Sequence, residues 1–161
     1  LHKTVHSFPT RRSSDLGAAW NDPTKGGELA RAQMDQGADV VYHAAGGTGF
    51  GVLQAVADAG KLGIGVDSNQ NHLHPGNILT SMLKRVDVAV YDAFSDVNND
   101  SWSTGFAVLG LKEGGVDYAM DENNKPLVND EMMAAVEQAK AGIIDGSVEV
   151  HDYMADNACP Y

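Results

Sequence analysis

Helical-period stretches and short apolar runs take turns along the first half of this chain. Residues 23–36 place Leu29, Ala32, Gln33 and Met34 around one face at helical spacing. Asp22 before Pro23 reads as an N-cap with proline at the first helical position, and Gly37 as the residue just past the helix end. Residues 38–43, Ala38-Asp39-Val40-Val41-Tyr42-His43, read as a strand that runs into Ala44-Ala45-Gly46-Gly47-Thr48-Gly49. That glycine turn opens a second helix over residues 49–59, stopped by Gly60, and residues 63–66 read as the next strand. Helix, strand, helix, strand with short links predicts a parallel sheet with right-handed crossovers.

The second half is less regular. Residues 68–76 form a polar loop, and residues 78–81 a short strand. Val86, Val90, Ala93, Phe94 and Val97 recur at helical spacing, which predicts a helix over residues 84–98, broken by Asn98-Asn99-Asp100-Ser101. Residues 106–111 read as an apolar strand, and residues 112–118 as a hairpin or wide turn. Asn129 or Asp130 caps a last helix reaching Ile144, followed by Asp145-Gly146. Residues 147–150 read as a final strand and residues 151–161 as a polar tail.

Composition fits this α/β layering. The 161 residues suit one domain, with 43% apolar residues and 18 glycines for tight turns. The net charge of −11 argues against a nucleic-acid partner, which needs a basic patch. Cys159 is the only cysteine, so no intrachain disulfide can form, and no apolar run approaches the length of a membrane span. Residues 1–16 differ in character from the rest. His6-Ser7-Phe8-Pro9-Thr10-Arg11-Arg12-Ser13-Ser14-Asp15-Leu16 has no helical or strand period. With suitable codons its back-translation resembles a common short-read sequencing adapter. Residues 1–16 are therefore read as a non-native scar and set apart from the fold. The competing reading is a basic arm around Arg11 and Arg12. A scar implies an upstream truncation, with a leader and a whole lobe missing.

Candidate chemistry collects at strand ends. Asp67 ends the run Ile64-Gly65-Val66-Asp67-Ser68-Asn69-Gln70, where a carboxylate enters the crevice at which open α/β sheets bind ligands. Such an acid accepts two hydrogen bonds from adjacent hydroxyls, as on a ribose, or simply serves a turn. Lys84 follows the next strand and is either a solvated first-turn residue or a second donor to the same hydroxyls. The Gly46–Gly51 turn misses the G-x-G-x-x-G fingerprint in every register, and Gly60-Lys61 lacks a Walker A context. It remains a tight turn or a place where ligand approaches backbone. Trp20 is either a core-edge residue or a stacking platform for a flat ligand. Ser81-Met82-Leu83-Lys84 matches S-x-x-K, but without its K-T-G partner. His72 and His74 lack a third metal ligand of convincing spacing.

Six segments, in order, carry a resemblance. They are Trp20-Asn21-Asp22-Pro23-Thr24-Lys25-Gly26, Gln36-Gly37-Ala38-Asp39-Val40, Ala45-Gly46-Gly47-Thr48-Gly49, Ile64-Gly65-Val66-Asp67-Ser68-Asn69-Gln70, Leu79-Thr80-Ser81-Met82-Leu83-Lys84-Arg85-Val86-Asp87, and Leu109-Gly110-Leu111-Lys112-Glu113-Gly114-Gly115-Val116. Together they closely resemble the basic membrane protein family, the substrate-binding lipoproteins of ABC-type nucleoside importers. The resemblance implies an α/β fold of the type I periplasmic-binding-protein kind, two lobes closing on a hinge. Residues 17–150 would be the C-terminal lobe and hinge crossover, a mainly parallel sheet flanked by helices, with the N-terminal lobe truncated.

It also implies capture of a purine or related nucleoside for an ABC-type permease, without catalysis or a cofactor. The intact protein would sit outside the cytoplasmic membrane on a lipidated N-terminal cysteine, for which Cys159 is at the wrong end. By the same resemblance Trp20, with Asn21 beside it, faces the nucleobase. Gly46, Gly47 and Thr48 line the cleft, Asp67 holds ribose hydroxyls and Lys84 shares them. His72 and His74 depart from the family pattern and put loop specificity in doubt. Two other classes compete: a nucleosidase-like enzyme using Asp67, and a sugar- or nucleoside-sensing effector domain on the same fold.

Overall fold

The computed structural model describes residues 4–7 and 20–158. Asp22 caps the first helix, its carboxylate accepting the Lys25 N–H at 2.9 Å, and Pro23 opens helix α1 (Pro23–Asp35). The chain turns at Gly37 into β2 (Val40–His43), passes a 3₁₀ turn (Gly46–Thr48) and continues directly into α2 (Gly49–Asp58) and β3 (Leu62–Gly65). Residues 66–77 then lead to β4 (Ile78–Lys84), α3 (Val86–Asn98) and the short β5 (Val116–Tyr118). With β1 (Thr4–Ser7) the strands form one sheet in the order β1-β2-β3-β4-β5. The first three pairings are parallel and β4–β5 is antiparallel. The mainly parallel α/β sheet is as expected.

The core lies between the sheet and the first two helices. Ala30, Ala38, Val41, Val52, Ala55 and Val56 are buried together, with Met34 packed against them. Two glycines let the helices close up. A Cβ on Gly51 of α2 would collide with the Pro23 carbonyl of α1, and one on Gly26 of α1 with the Thr48 carbonyl. The inner face of α1 is therefore centred on Gly26, Gly27 and Ala30, whereas Ala32, expected inside, is exposed. A small-residue face buries through closeness of backbones, which a search for large apolar residues passes over.

Several boundaries differ from expectation. The strand at residue 78 extends through Lys84, so Lys84 is a strand end and Ser81 is in mid-strand. Residues 106–111 are apolar but form no strand: among the described residues they join no β-ladder, their backbone bonds being the local turn bonds of Gly110 and Leu111 to Gly115 and Gly114, and Phe106 is fully exposed. A strand exists only through its ladder, so apolar composition alone does not make one. Residues 147–150 form no strand either, for the same reason. Within residues 112–118 the wide turn resolves into a turn and β5. Thr4–Ser7, within the segment set apart above, pairs with Val40–His43 through backbone. Such pairing requires no particular side chains, so it does not bear on the segment's origin.

From Asn129 onward the described residues, to 158, make a separate compact unit. Asn129 accepts the Met132 N–H at 2.8 Å and starts α4 (Asp130–Asp145), which ends at Gly146 in the left-handed conformation. A one-turn helix, α5 (Tyr153–Asp156), follows. Cys159, and the arginines at 11 and 12, lie outside the described residues.

Candidate functional site

The parallel strands β2, β3 and β4 share one carboxyl edge, and the links that follow them build the site. After β2, Gly46–Thr48 is gripped by the residues leading into α1. The Thr48 N–H donates to Trp20 O at 3.2 Å, and Thr48 Oγ1 accepts the Asp22 N–H at 2.9 Å. A Cβ on Gly46 would come within 3.3 Å of the Trp20 ring, and one on Gly47 within 2.7 Å of Asn21 Oδ1. So Trp20, Asn21, Gly46, Gly47 and Thr48 do form one cluster. Trp20 keeps 47% of its surface exposed, while Thr48 is buried and holds the turn in place.

After β3, Asp67 adopts φ +68°, a left-handed conformation unusual for a residue with a Cβ. Its carbonyl accepts the Lys84 N–H at 2.9 Å, and its Oδ1 lies 3.1 Å from Lys84 Nζ. The structure thus brings the two charged candidates together across adjacent strand ends. Both side chains are more than half exposed. An ion pair this exposed contributes roughly 0–1 kcal/mol to stability. Its two ends remain within reach of a hydroxyl-bearing ligand.

Beneath this edge lies a histidine that sequence reasoning passed over as a strand end. His43 is completely buried, its ring filling the space a Cβ on Gly49 would need. Neither ring nitrogen has a partner of good hydrogen-bond geometry. Burial pushes its pKa down, while the nearby Gln70 side chain and the Asp67 charge pull weakly the other way. Burial also pushes the Tyr42 phenol up, with the Asp67 charge adding to it. Asp67 is therefore felt along the strand that feeds the glycine turn.

A polar network behind Asp67 was also missed. Gln70 Oε1 accepts the Val66 N–H at 2.9 Å, and the Gln70 N–H donates to Ser81 Oγ at 3.0 Å. Ser81 Oγ donates to Asn71 Oδ1 at 2.8 Å, and Asn71 Nδ2 donates to Asp121 at 3.1 Å. Asn69 donates to the same carboxylate oxygen at 2.7 Å. These amide donors hold the Asp121 carboxyl below its ordinary pKa. The available signal is a serine amid apolar neighbours in a strand, which S-x-x-K alone does not explain. With its hydroxyl committed inside the protein, Ser81 is no nucleophile. His72 and His74 stay apart from this network. Among the described residues no three His, Cys, Asp or Glu side chains are placed to hold a metal ion. A groove of about 420 Å³ between α1 and α2, lined by residues including Arg31 and Gln54, contains none of the site residues.

Residues 13–152 match the family model described as Bmp, ABC transporter substrate-binding protein PnrA-like. The chain belongs to this family. An uncharacterised lipoprotein of Pyrococcus furiosus is 46% identical over 91 residues, 53% of this chain and 23% of that protein. The ABC transporter nucleoside-binding protein BmpA of Lactococcus lactis is 33% identical over 150 residues, 82% of this chain and 41% of that one. Among solved structures, an ABC transporter solute-binding protein of Aeropyrum pernix superposes with a TM-score of 0.70 at 30% identity, over 82% of this chain and 45% of that one. The chain spans less than half the length of each of these proteins. This Bmp-family chain thus carries the α/β fold of solute-binding proteins, and substrate binding rather than catalysis is the family's role.

Proposed function

We propose that this chain is part of an extracytoplasmic, lipid-anchored binding protein that delivers a nucleoside, of purine type, to an ABC-type permease. The observation that carries the reading is the Asp67–Lys84 pair, 3.1 Å apart and solvent-facing at the ligand-binding edge of the sheet. A carboxylate accepts from vicinal hydroxyls while the ammonium donates to them, which suits a ribose. The Trp20 ring, steadied by Gly46, offers a face for the base. Gly47 continues that wall, the buried Thr48 holds it from behind, and Asn21 supplies a polar edge. The nucleoside-binding description of the Lactococcus lactis relative supports the same ligand class.

Residues 17–150 are read as the C-terminal lobe and its hinge crossover, with residues 1–16 foreign to it. Helix α3 buries no residue, and Val86, Val90, Phe94 and Val97 leave an apolar face open. With the exposed Phe106 and Val108, this is surface that a second lobe would cover. The enzymatic alternative loses its serine candidate, because Ser81 is buried and hydrogen-bonded on both sides.

One wall of a cleft binds weakly. Base stacking contributes about 1–3 kcal/mol and a hydrogen bond to a charged group about 1.5–3 kcal/mol. A net of about 4 kcal/mol corresponds to a dissociation constant near 1 mM. Millimolar inosine titrated into the labelled chain should shift the Trp20 indole, Gly46, Gly47, Asp67 and Lys84 resonances. Hypoxanthine should shift the Trp20 group alone. Equal shifts at Asp67 and Lys84 with both ligands would sink the ribose assignment.

A further inference from the structure

Asp67 takes a left-handed φ at the centre of a three-residue turn closed by the Ser68 N–H on the Val66 carbonyl at 2.8 Å, a conformation that needs support from its surroundings. On one side the constraint is the Lys84 N–H on the Asp67 carbonyl. On the other it is the Val66 N–H, in the Gly65–Val66 peptide one step further back, which is buried and donates to Gln70 Oε1. Gln70 is itself fixed by Ser81, and Ser81 by Asn71. Gln70 is 8% exposed and the other two are fully buried. Gly65 completes the fit: a Cβ there would stand 2.7 Å from both Gln70 Oε1 and Ser81 Oγ. The chain of contacts therefore runs from the middle of β4, through Ser81 and Gln70, to the Gly65–Val66 peptide that leads into the Asp67 turn. It starts on the strand that also carries Lys84.

We propose that Gln70, Asn71 and Ser81 are positioning residues that lock the Asp67 turn so that its carboxylate faces Lys84. The functional meaning of this lock rests on the nucleoside reading. The lock itself is a property of this chain and can be tested without ligand. None of the three residues needs to touch the ligand. Ser81 lies three residues before Lys84 on one strand, so the relay ties both charged ends to a single rigid element.

The experiment compares amide hydrogen exchange in the full chain and in Gln70→Leu, which removes the acceptor for Val66 N–H. Val66 and Lys84 amides should exchange about tenfold faster, the effect of losing one buried hydrogen bond. The Ala119 amide, which donates to Ser81 O across the β4–β5 pair, should stay within about twofold as the control. Gln70→Glu, which keeps an oxygen for Val66 N–H, should recover most of the protection. A uniform rise at all three amides, or no rise at Val66 and Lys84, would overturn the proposal. Ser81→Ala is the second variant, expected to give the same pattern from the other end of the relay. In the same samples, inosine should lose its advantage over hypoxanthine in Gln70→Leu. If the unaltered chain shows no such advantage, the ribose reading fails and the exchange data still decide the lock.

Discussion

Gly51→Ala sets two effects of opposite sign against each other. In a solvent-exposed helix interior the added methyl stabilises by roughly 1 kcal/mol, through backbone entropy and propensity. Here the methyl would land on the Pro23 carbonyl, an atom of a backbone fixed in the first turn of α1. It cannot rotate away as a flexible side-chain tip would, so α1 and α2 must move apart. Overpacking of this kind costs typically 1–3 kcal/mol, and a backbone obstacle belongs at the upper end. The net expectation is a loss of about 1–2 kcal/mol. For a chain of this size that lowers Tm by roughly 2–8 °C. The assay is thermal and urea unfolding followed by circular dichroism, with Gln54→Ala as the control on the same helix. That control removes only an exposed hydrogen bond to Asp58 at 2.8 Å and should fall within about 0.5 kcal/mol of the parent. A Tm equal to or above the parent in Gly51→Ala would refute the close approach of the two helices. The packing of Trp20 and Asn21 on the glycine turn would then lose its support.

Other perturbations have equally definite signs. His43 is buried with its pKa below the ordinary 6.5, so the unfolded chain takes up that proton first. Stability should be complete above 6.5 and fall as pH drops from there through the lowered value. Urea midpoints at about pH 7.5 and about pH 5 should differ less in His43→Gln than in the parent; an equal difference would remove His43 as the cause. The Asp121 carboxyl is held below its ordinary 3.8, chiefly by the Asn69 amide, so its contribution is present above 3.8 and lost as pH falls through the lower value. Asp121→Asn should lose that acid-side decline, as read by thermal melts across the same range. Phe106→Ser, at a fully exposed position, should leave stability within about 0.5 kcal/mol, and a larger loss would show that residues 106–111 pack in solution.

The first half of the fold was legible because its signals are local. Asp22 before Pro23, Gly37 and Gly60 mark helix ends by cap chemistry that acts within a few residues. Residues 40–65 then alternate strand and helix with hardly a spare residue, and that pattern fixes a parallel sheet. The second half depends on pairing. Residues 106–111 have the composition of a strand and no ladder, whereas Val116–Tyr118 is shorter and less apolar yet lies antiparallel to β4. No reading of residue types separates those two cases, since the difference is whether a neighbouring edge is available.

The site divides along the same line. Asp67, Lys84, Trp20 and the glycine turn can be named from sequence because their chemistry is carried by residue type at a strand end. The residues that hold them cannot. Asp67 takes a left-handed φ at the centre of a three-residue turn closed by the Ser68 N–H on the Val66 carbonyl at 2.8 Å, and no glycine marks that turn in the sequence. The turn is braced from outside by Gln70, which folds back onto Val66, and by Ser81, brought alongside only once β3 and β4 pair. The register between these strands shifts by one residue after Gly63, and that shift sets Gly65 opposite Ser81. The direction of the Asp67 carboxylate is therefore a tertiary product: the sequence chooses the acid, and the register of two strands decides where it points. That is why Gln70→Leu, which leaves Asp67 and Lys84 intact, should still undo their shared geometry.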